Sequence, residues 1–498
     1  MHVILIYPEF PTTFWSFKYA LKFVNKKASS PPLGLLTMAA LLPKTWQKVL
    51  VDMNISRLTQ KDLEWADLVF ISGMTLQRES ARQVISRCKQ AGLKVVAGGP
   101  LFTLEHEKFK SVDHFVLNEA EVTLPKFLKD LQAGKARRIY QTAEFADIRK
   151  SPAPLWELLE MKKYAAMSIQ YSRGCPFNCD FCNVTSLFGH LPRTKNAAQI
   201  LSELDALYQA GWREGVFFVD DNLIGNKKAL KNELLPALIQ WRKGKRGISF
   251  NTQVSINLAD DTALIHQMVE AGFNMVFVGI ETPEENSLAE CSKKQNLNRD
   301  LVADVKRLQR AGLQVQGGFI VGFDHDTSST FYKLINFIQE SGIVTAMVGL
   351  LQAPIGTKLY ERLSRAGRIL KRVTGDNTDG STNVVPIMDA KLLRKGYKKL
   401  MSTLYSPRVY YQRVKTFLSN YQPPKMNLHL DFQYIFENLR AFLRSIVLLG
   451  ILGKERKEYW KLFFWSLLHR PSVFPLAIVF SIYGYHFRKI SELIQNYK

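Results

Sequence analysis

Two patterns of apolar and polar positions alternate along the chain. Short apolar runs end in small or polar residues, as strands buried on both faces of a parallel sheet do. Between them lie stretches with an apolar residue every third or fourth position, the mark of an amphipathic helix. The first run, Val3–Tyr7, stops at Pro8. Lys48–Asp52 follows a helical stretch from Gly34 to Leu42. Leu68–Gly73 and Lys94–Pro100 flank a helix over Arg78–Ala91, and His114–Leu117 is a shorter fifth strand. This predicts an open, doubly wound, Rossmann-like α/β domain over residues 1–135. Such sheets bind ligands beyond the carboxyl ends of their strands. The loops there are Ser72-Gly73-Met74-Thr75, Gly98-Gly99-Pro100 and Asn118-Glu119-Ala120-Glu121. No Gly-x-Gly-x-x-Gly follows the first strand, which argues against a dinucleotide.

A linker over 136–165, polar and then marked by Pro152 and Pro154, leads to a second βα series over 166–360. Its strands read as Met167–Tyr171, Gly215–Asp220, Ile248–Val254, Met275–Ile280, Val315–Val321 and Ala346–Leu351. Helices at Ala197–Ala210, Leu264–Ala271 and Arg299–Ala311 lie between them. Repeated βα units without an antiparallel signal predict a partial parallel (β/α)6 barrel with its site at the carboxyl strand ends. The pattern changes over 361–422, with a turn cluster at Gly375–Gly380 and one helix expected over Arg394–Asn420. Residues 423–498 are amphipathic and helical: Ala441–Leu452, Tyr459–Leu468 and Val473–Tyr485, with Pro471 and Pro475 expected to break the last two. None is a long enough apolar run to span a bilayer.

At 498 residues the length suits about two to four domains. With 46% hydrophobic and 22% charged residues the chain is neither disordered nor a disulfide scaffold. The formal charge of +23 favours anionic partners without choosing among them. The N-terminus reads as a strand rather than a signal peptide, so a cytoplasmic location is expected. Three of the five cysteines fall within eight positions, which argues for a reducing compartment and a metal or redox site.

That cluster is Cys175-Pro176-Phe177-Asn178-Cys179-Asp180-Phe181-Cys182, with the spacing C-x3-C-x2-C on a strand-to-helix loop. Three thiolates on one loop can converge on an iron–sulfur cube, and a four-iron cluster normally takes four. The fourth iron is then open to a ligand. His190 is the residue that would instead complete a zinc site. Cys88 and Cys291 read as ordinary buried cysteines.

The motif, at the end of the first barrel strand with an aromatic before the last cysteine, resembles the radical S-adenosylmethionine (SAM) superfamily. The resemblance implies a [4Fe–4S] cluster on Cys175, Cys179 and Cys182, whose open iron is chelated by S-adenosylmethionine. Reductive cleavage then gives a 5′-deoxyadenosyl radical. It also implies a SAM site that includes Phe181. Gly318-Phe319-Ile320-Val321-Gly322 is similar to the family's G-x-I-x-G element along the adenine, with Gly318, Ile320 and Gly322 in the matching places; close strand packing is the other reading. Glu281 is placed either for the ribose hydroxyls or for an ion pair. Asp220 stands where the family binds the cofactor's ammonium, although Asp220-Asp221-Asn222 departs from its G-G-E. Gln253 and Ser255 are candidates on the third strand.

The domain ahead of the barrel resembles the cobalamin-binding domain of the B12-dependent radical enzymes. It lacks D-x-H-x-x-G, since Asp52 is followed by Met53-Asn54-Ile55, so no histidine ligand to cobalt is implied. Ser72, Gly73, Thr75, Gly98, Gly99, Pro100, Glu119 and Glu121 would cradle the corrin and its tail. Domain order, Ser30-Pro31-Pro32-Leu33-Gly34 and the extension at Ser364–Gly380 are similar to the group containing the hopanoid C-2 methylases. The resemblance implies radical methylation of an unactivated carbon in a small hydrophobic substrate, with an external one-electron reductant. A tetrapyrrole oxidoreductase or cyclase shares the domain order and is the rival. A nucleic-acid-binding protein is the rival outside enzymes, but the usual basic–aromatic motifs are lacking and no nucleic-acid partner is expected. Aromatics interleaved with Lys and Arg in the last segment suit either a helix lying on the inner face of a membrane or a helical bundle packed against the barrel or a second subunit.

Overall fold

A computed structural model describes residues 1–370, 374–376, 378–424 and 432–496. Asn377 of the turn cluster and residues 425–431 of the basic C-terminal segment lie outside these. The N-terminal sheet has β1 (His2–Tyr7), β2 (Gln47–Asp52), β3 (Leu68–Ser72), β4 (Lys94–Gly98), β5 (His114–Val116) and β6 (Ile139–Tyr140). All are parallel, in the order β2-β1-β3-β4-β5-β6. Val3 and Leu5 pack into the core on one side of this sheet, and Ile4 and Ile6 into the core on the other. Burial on both faces is why β1 reads as an unbroken apolar run. β6 falls in the stretch read as a linker; two residues are too few to show periodicity. The order reverses between β1 and β3, and their carboxyl ends open the crevice where doubly wound sheets take ligands.

The second sheet has β7 (Ala166–Ile169), β10 (Gly215–Phe218), β11 (Ser249–Val254), β12 (Phe273–Glu281), β13 (Gln314–Val321) and β14 (Ala346–Leu350). A small antiparallel ribbon, β8 (Ser172–Arg173) with β9 (Arg193–Thr194), follows β7. The six strands pair in parallel and in chain order, the predicted partial barrel. Along β11, Phe250, Thr252 and Val254 are buried, and Phe250 faces Trp241 of the helix Leu235–Arg242. The alternate residues Asn251 and Gln253 are only half-buried, on the concave face. The barrel therefore presents polar side chains on its concave face.

Helices close the molecule: Ala390–Leu404, Pro407–Asn420, Phe432–Ser445, Arg456–His469 and Phe474–Asn496. The single helix expected over Arg394–Asn420 is two. Ser406 precedes Pro407 and takes an extended conformation, ψ 142°, because the proline ring disfavours helix at the residue before it. Pro475 breaks nothing. It sits in the first turn of Phe474–Asn496, where its missing N–H was unpaired anyway. That helix reaches back to the N-terminus: Phe487 stacks on Phe14 at 4.2 Å, and Phe17 on His486 at 5.3 Å. Trp15 meets Phe277 of β12 at 5.5 Å. Residues 14–28 thus strap the barrel to the C-terminal helix. Among the described residues no helix is long and apolar enough to cross a membrane.

Candidate active site at the mouth of the barrel

The cysteine loop is fixed from three sides. Asp220, at the end of β10, accepts hydrogen bonds from the Tyr171 N–H (3.1 Å), the Ser172 N–H and the Ser172 hydroxyl (2.5 Å). Gly174 has φ +95°, and a Cβ there would lie 2.9 Å from the Leu191 carbonyl, so only glycine makes the turn into Cys175. The Asp180 N–H donates to the Cys291 carbonyl (3.0 Å), and the Leu359 N–H donates to the Asp180 carbonyl (2.9 Å). Burial pushes the Cys182 thiol up to about 12 and the Cys175 thiol up as well; neighbouring Cys179 adds to both shifts. Such thiols give up their protons to a metal rather than to water. Cys88 and Cys291 are buried, as expected.

Opposite the loop stands an ion pair. Lys293 Nζ lies 2.7 Å from Glu281 Oε1, both residues being buried. Of the two readings for Glu281, the ion pair is the one formed. A Cβ on Gly279 would fall 2.4 Å from Glu281 Oε1 and 2.8 Å from Lys293 Nζ. The glycine of Gly279-Ile280-Glu281 therefore makes room for the pair. Glu281 itself has φ +66°, a strained backbone of the kind that collects at functional sites. Lys293 also lies 5.9 Å from the Phe181 ring; burial works against its charge, but Glu281 first, then Cys179 and Cys182, hold its ammonium protonated. Gln295 Nε2 is 3.7 Å from Cys179 Sγ.

The other barrel candidates divide. The Asp220 carboxylate is engaged by Tyr171 and Ser172, because its strand end faces the root of the cysteine loop. Its neighbour Asp221 is nearer the cysteines: it accepts from the Gly174 N–H at 3.4 Å and raises the Cys175 thiol. Burial pushes Asp221 up to about 6. Ser255 is tied to Asn222 and Asn257, while Gln253 stays half-buried on the concave face. Gly318 faces the Phe277 ring, where a Cβ would come within 2.7 Å of Cζ. Ile320 and Phe181 meet in one small apolar cluster beside Cys291, and Gly322 turns the chain at φ +106°.

The crevice of the first domain opens beside this mouth. At its floor a Cβ on Gly98 would lie 2.6 Å from the Val116 carbonyl, and one on Gly99 would meet Ser72 Oγ at 2.3 Å. Pro100 begins the next helix, and Met74 stands half-exposed between Gly73 and Thr75. The carboxylates of Glu119 and Glu121, expected at the corrin, instead clamp the cysteine loop. Arg173 meets Glu119 at 2.9 Å and Glu121 at 2.8 Å, and Arg193 meets Glu119 at 2.9 Å. Burial would raise Glu121, but Arg173 and Ser151 outweigh it and hold the carboxyl at about 2. Asp52 likewise accepts from Asn54 and from the Tyr164 hydroxyl (2.9 Å) and offers nothing to a ligand.

Comparison with known proteins fits this geometry. Residues 24–128 match the B12 binding domain family, residues 169–338 the radical SAM superfamily, and residues 357–498 a domain of unknown function, DUF4070. An uncharacterized methyltransferase of Synechocystis sp. is 38% identical over 100% of this chain and 93% of its own length. The hopanoid C-2 methylase of Rhodopseudomonas palustris is 32% identical over 92% of this chain and 88% of its own length. The chain belongs to the B12-dependent radical SAM family. Solved structures share the fold. The cobalamin-dependent radical enzyme OxsB, at 14% identity, has a TM-score of 0.61, covering 99% of this chain and 80% of OxsB. The methyltransferase TsrM of Kitasatospora setae, also at 14% identity, has a TM-score of 0.58, covering 92% and 97%. As a B12-dependent radical SAM methyltransferase, the chain takes a four-iron cluster, S-adenosylmethionine and cobalamin.

Its residues fit those groups. Three thiols and a buried ammonium share one end of the barrel, and the floor of the neighbouring crevice carries three glycines, Gly73, Gly98 and Gly99, where a cofactor can approach the backbone. Among the described residues no group of three or more His, Cys, Asp and Glu is placed to hold a metal ion. Sequence reasoning missed Asp221, Lys293, Arg173 and Arg193. For Arg173 a signal existed: a base two positions before the first cysteine, and two acids at a strand end in the other domain.

Proposed function

We propose that this enzyme methylates an unactivated carbon of a hydrophobic, lipid-like substrate. Cys175, Cys179 and Cys182 hold the cluster. Phe181, Gln253, Gly318, Ile320 and Gly322 line the S-adenosylmethionine pocket together with Asp221 and Lys293. Ser72, Gly73, Thr75, Gly98, Gly99 and Pro100 would hold the corrin, and exposed Met74 lies on the same loop. Bound there, the three groups supply reductive cleavage of a sulfonium and a transferable methyl group. The chain's own work is charge, position and exclusion of water. The Lys293 ammonium offsets the negative charge of three thiolates. Asp221, raised by burial, is held ionised once a ligand's ammonium meets it. Phe181 and Ile320, packed together beside the cysteine loop, supply apolar surface suited to a hydrocarbon. The Arg173–Glu119–Glu121 clamp carries the reading, because it fixes the root of the cysteine loop against the corrin domain. A hydrophobic substrate is supported by the hopanoid methylase among the relatives. Such a substrate resides in a bilayer, so the enzyme works at a membrane surface and takes electrons from an external one-electron donor.

The test is anaerobic reconstitution with iron, sulfide and hydroxocobalamin, then turnover with methyl-deuterated S-adenosylmethionine and a polycyclic lipid. About one corrinoid per chain and a product carrying the labelled methyl are expected. A product that gains oxygen or a ring without the label would move the chain to the tetrapyrrole-type oxidoreductases.

A further inference from the structure

Twelve of the 22 exposed large hydrophobic residues of the described chain lie between Ile435 and Val479. Ile435, Leu439, Leu443, Val447 and Ile451 recur at every fourth position. They form one stripe along the helix Phe432–Ser445 and the π-helical turn Ile446–Ile451 that continues it. The chain then doubles back as Arg456–His469. Ser445 meets the Tyr459 hydroxyl at 2.9 Å, and Phe442 stacks on Phe463 at 6.2 Å. Leu449, Tyr459 and Leu462 are buried inside this hairpin, so its packing does not need the outer stripe. At the apex Leu452 is 70% exposed. Immediately beyond it Lys454, Arg456 and Lys457 are all exposed; Lys454 pairs with Glu492 at 3.2 Å, and the neighbouring acid Glu455 is buried and paired with Arg488.

An apolar tip behind a basic collar is complementary to one kind of surface: hydrocarbon beneath a layer of anionic headgroups. A second copy meeting the hairpin apex to apex about a two-fold would set the collar against itself. No described helix is both long and apolar enough to cross a bilayer, so the hairpin would enter only the interfacial layer. We infer that the hairpin from Phe432 to His469 is a monotopic anchor that inserts its apex into anionic phospholipid. This rests on the membrane location proposed above and identifies the part of the chain that provides it.

The experiment uses the full-length protein, purified and floated through sucrose with vesicles of phosphatidylcholine, with or without phosphatidylglycerol. Removing everything after Gln422 is no test, because Phe480 and Phe487 complete the core around Tyr410 and Phe14. The variant Leu448→Asp/Ile451→Asp/Leu452→Asp changes exposed positions only. Wild type is expected to float with the anionic vesicles and the variant about tenfold less, with the same thermal midpoint. A second variant, Lys454→Glu/Lys457→Glu, is expected to lose flotation on anionic vesicles only, and high salt should weaken the wild type likewise. Wild type remaining at the bottom with both vesicles overturns the inference, as does equal flotation of the variants. So does a wild-type dimer that the apex variant splits without any lipid binding. Methyl transfer to detergent-dispersed lipid, measured in parallel, reports separately on the proposed reaction.

Discussion

Single residues at the barrel mouth differ in what they can lose. Cys175, Cys179 and Cys182 stand on one short loop, and each is expected to be indispensable for the cluster. Replacing any one with Ala should lower iron and sulfide to background in reconstituted protein, while Cys88→Ala and Cys291→Ala keep about four irons per chain. Full iron content in a triple variant would refute the assignment. Lys293 makes a different demand. Removing one member of a buried ion pair leaves the other charge unpaired, at roughly 3–5 kcal/mol. Lys293→Met should therefore destabilise the fold by a large part of that amount. The double variant Lys293→Met/Glu281→Gln should recover most of the stability but not S-adenosylmethionine affinity. Recovery of both in isothermal titration would make the pair purely structural. The cysteines were legible as a motif. Lys293 was not, because its partners lie on other elements and no local pattern marks it.

Between elements, small residues and charges set the spacing. The expected helix boundaries hold to within a residue or two in both α/β units, where the periodicity is strong. They fail at Ser406-Pro407 and Pro475, where the position of the proline within a turn decides its effect. The loop Asn118–Glu121 ends a strand, the place where a doubly wound sheet takes a ligand. A strand-end loop in a two-domain chain can face the other domain instead, and Arg173 claims Glu119 and Glu121. Gly279 shows the same dependence on neighbours. Its partners Glu281 and Lys293 already occupy the space a Cβ would take, so Gly279→Ala should push the ion pair apart while the outward face of β12 stays packed. Near-native circular dichroism is expected, with at least a tenfold loss of S-adenosylmethionine cleavage, by analogy with about 1.4 kcal/mol per decade. Undiminished cleavage would show that the pair can move without consequence.

Across the whole molecule, both α/β units and their order were readable because each is built from local βα repeats. The strap of residues 14–28 was not, since it pairs the first residues with the last helix and no local signal spans that distance. His486 sits in this joint. One ring nitrogen, Nε2, donates to the Phe14 carbonyl at 2.9 Å, and the other, Nδ1, is buried without a partner. Around it are Phe17, Tyr19 and Phe487 rather than charged groups. Burial pushes the imidazole down to about 4 from its ordinary 6.5. The folded chain therefore resists a proton that the unfolded chain accepts. Stability from this residue is complete above pH 6.5 and is lost as the pH falls towards 4. The slope is about 1.4 kcal/mol per pH unit inside that window. The variant His486→Phe keeps an aromatic ring in the joint and removes the titration. It also loses the bond to Phe14, so it should be less stable than wild type at pH 7. Buried acids such as Asp326 titrate in the same range, but they do so in both proteins and cancel in the difference. Denaturant unfolding at pH 7, 6 and 5 should show the gap between the two proteins narrowing with acid. A constant gap would mean that the joint opens and lets His486 protonate without unfolding.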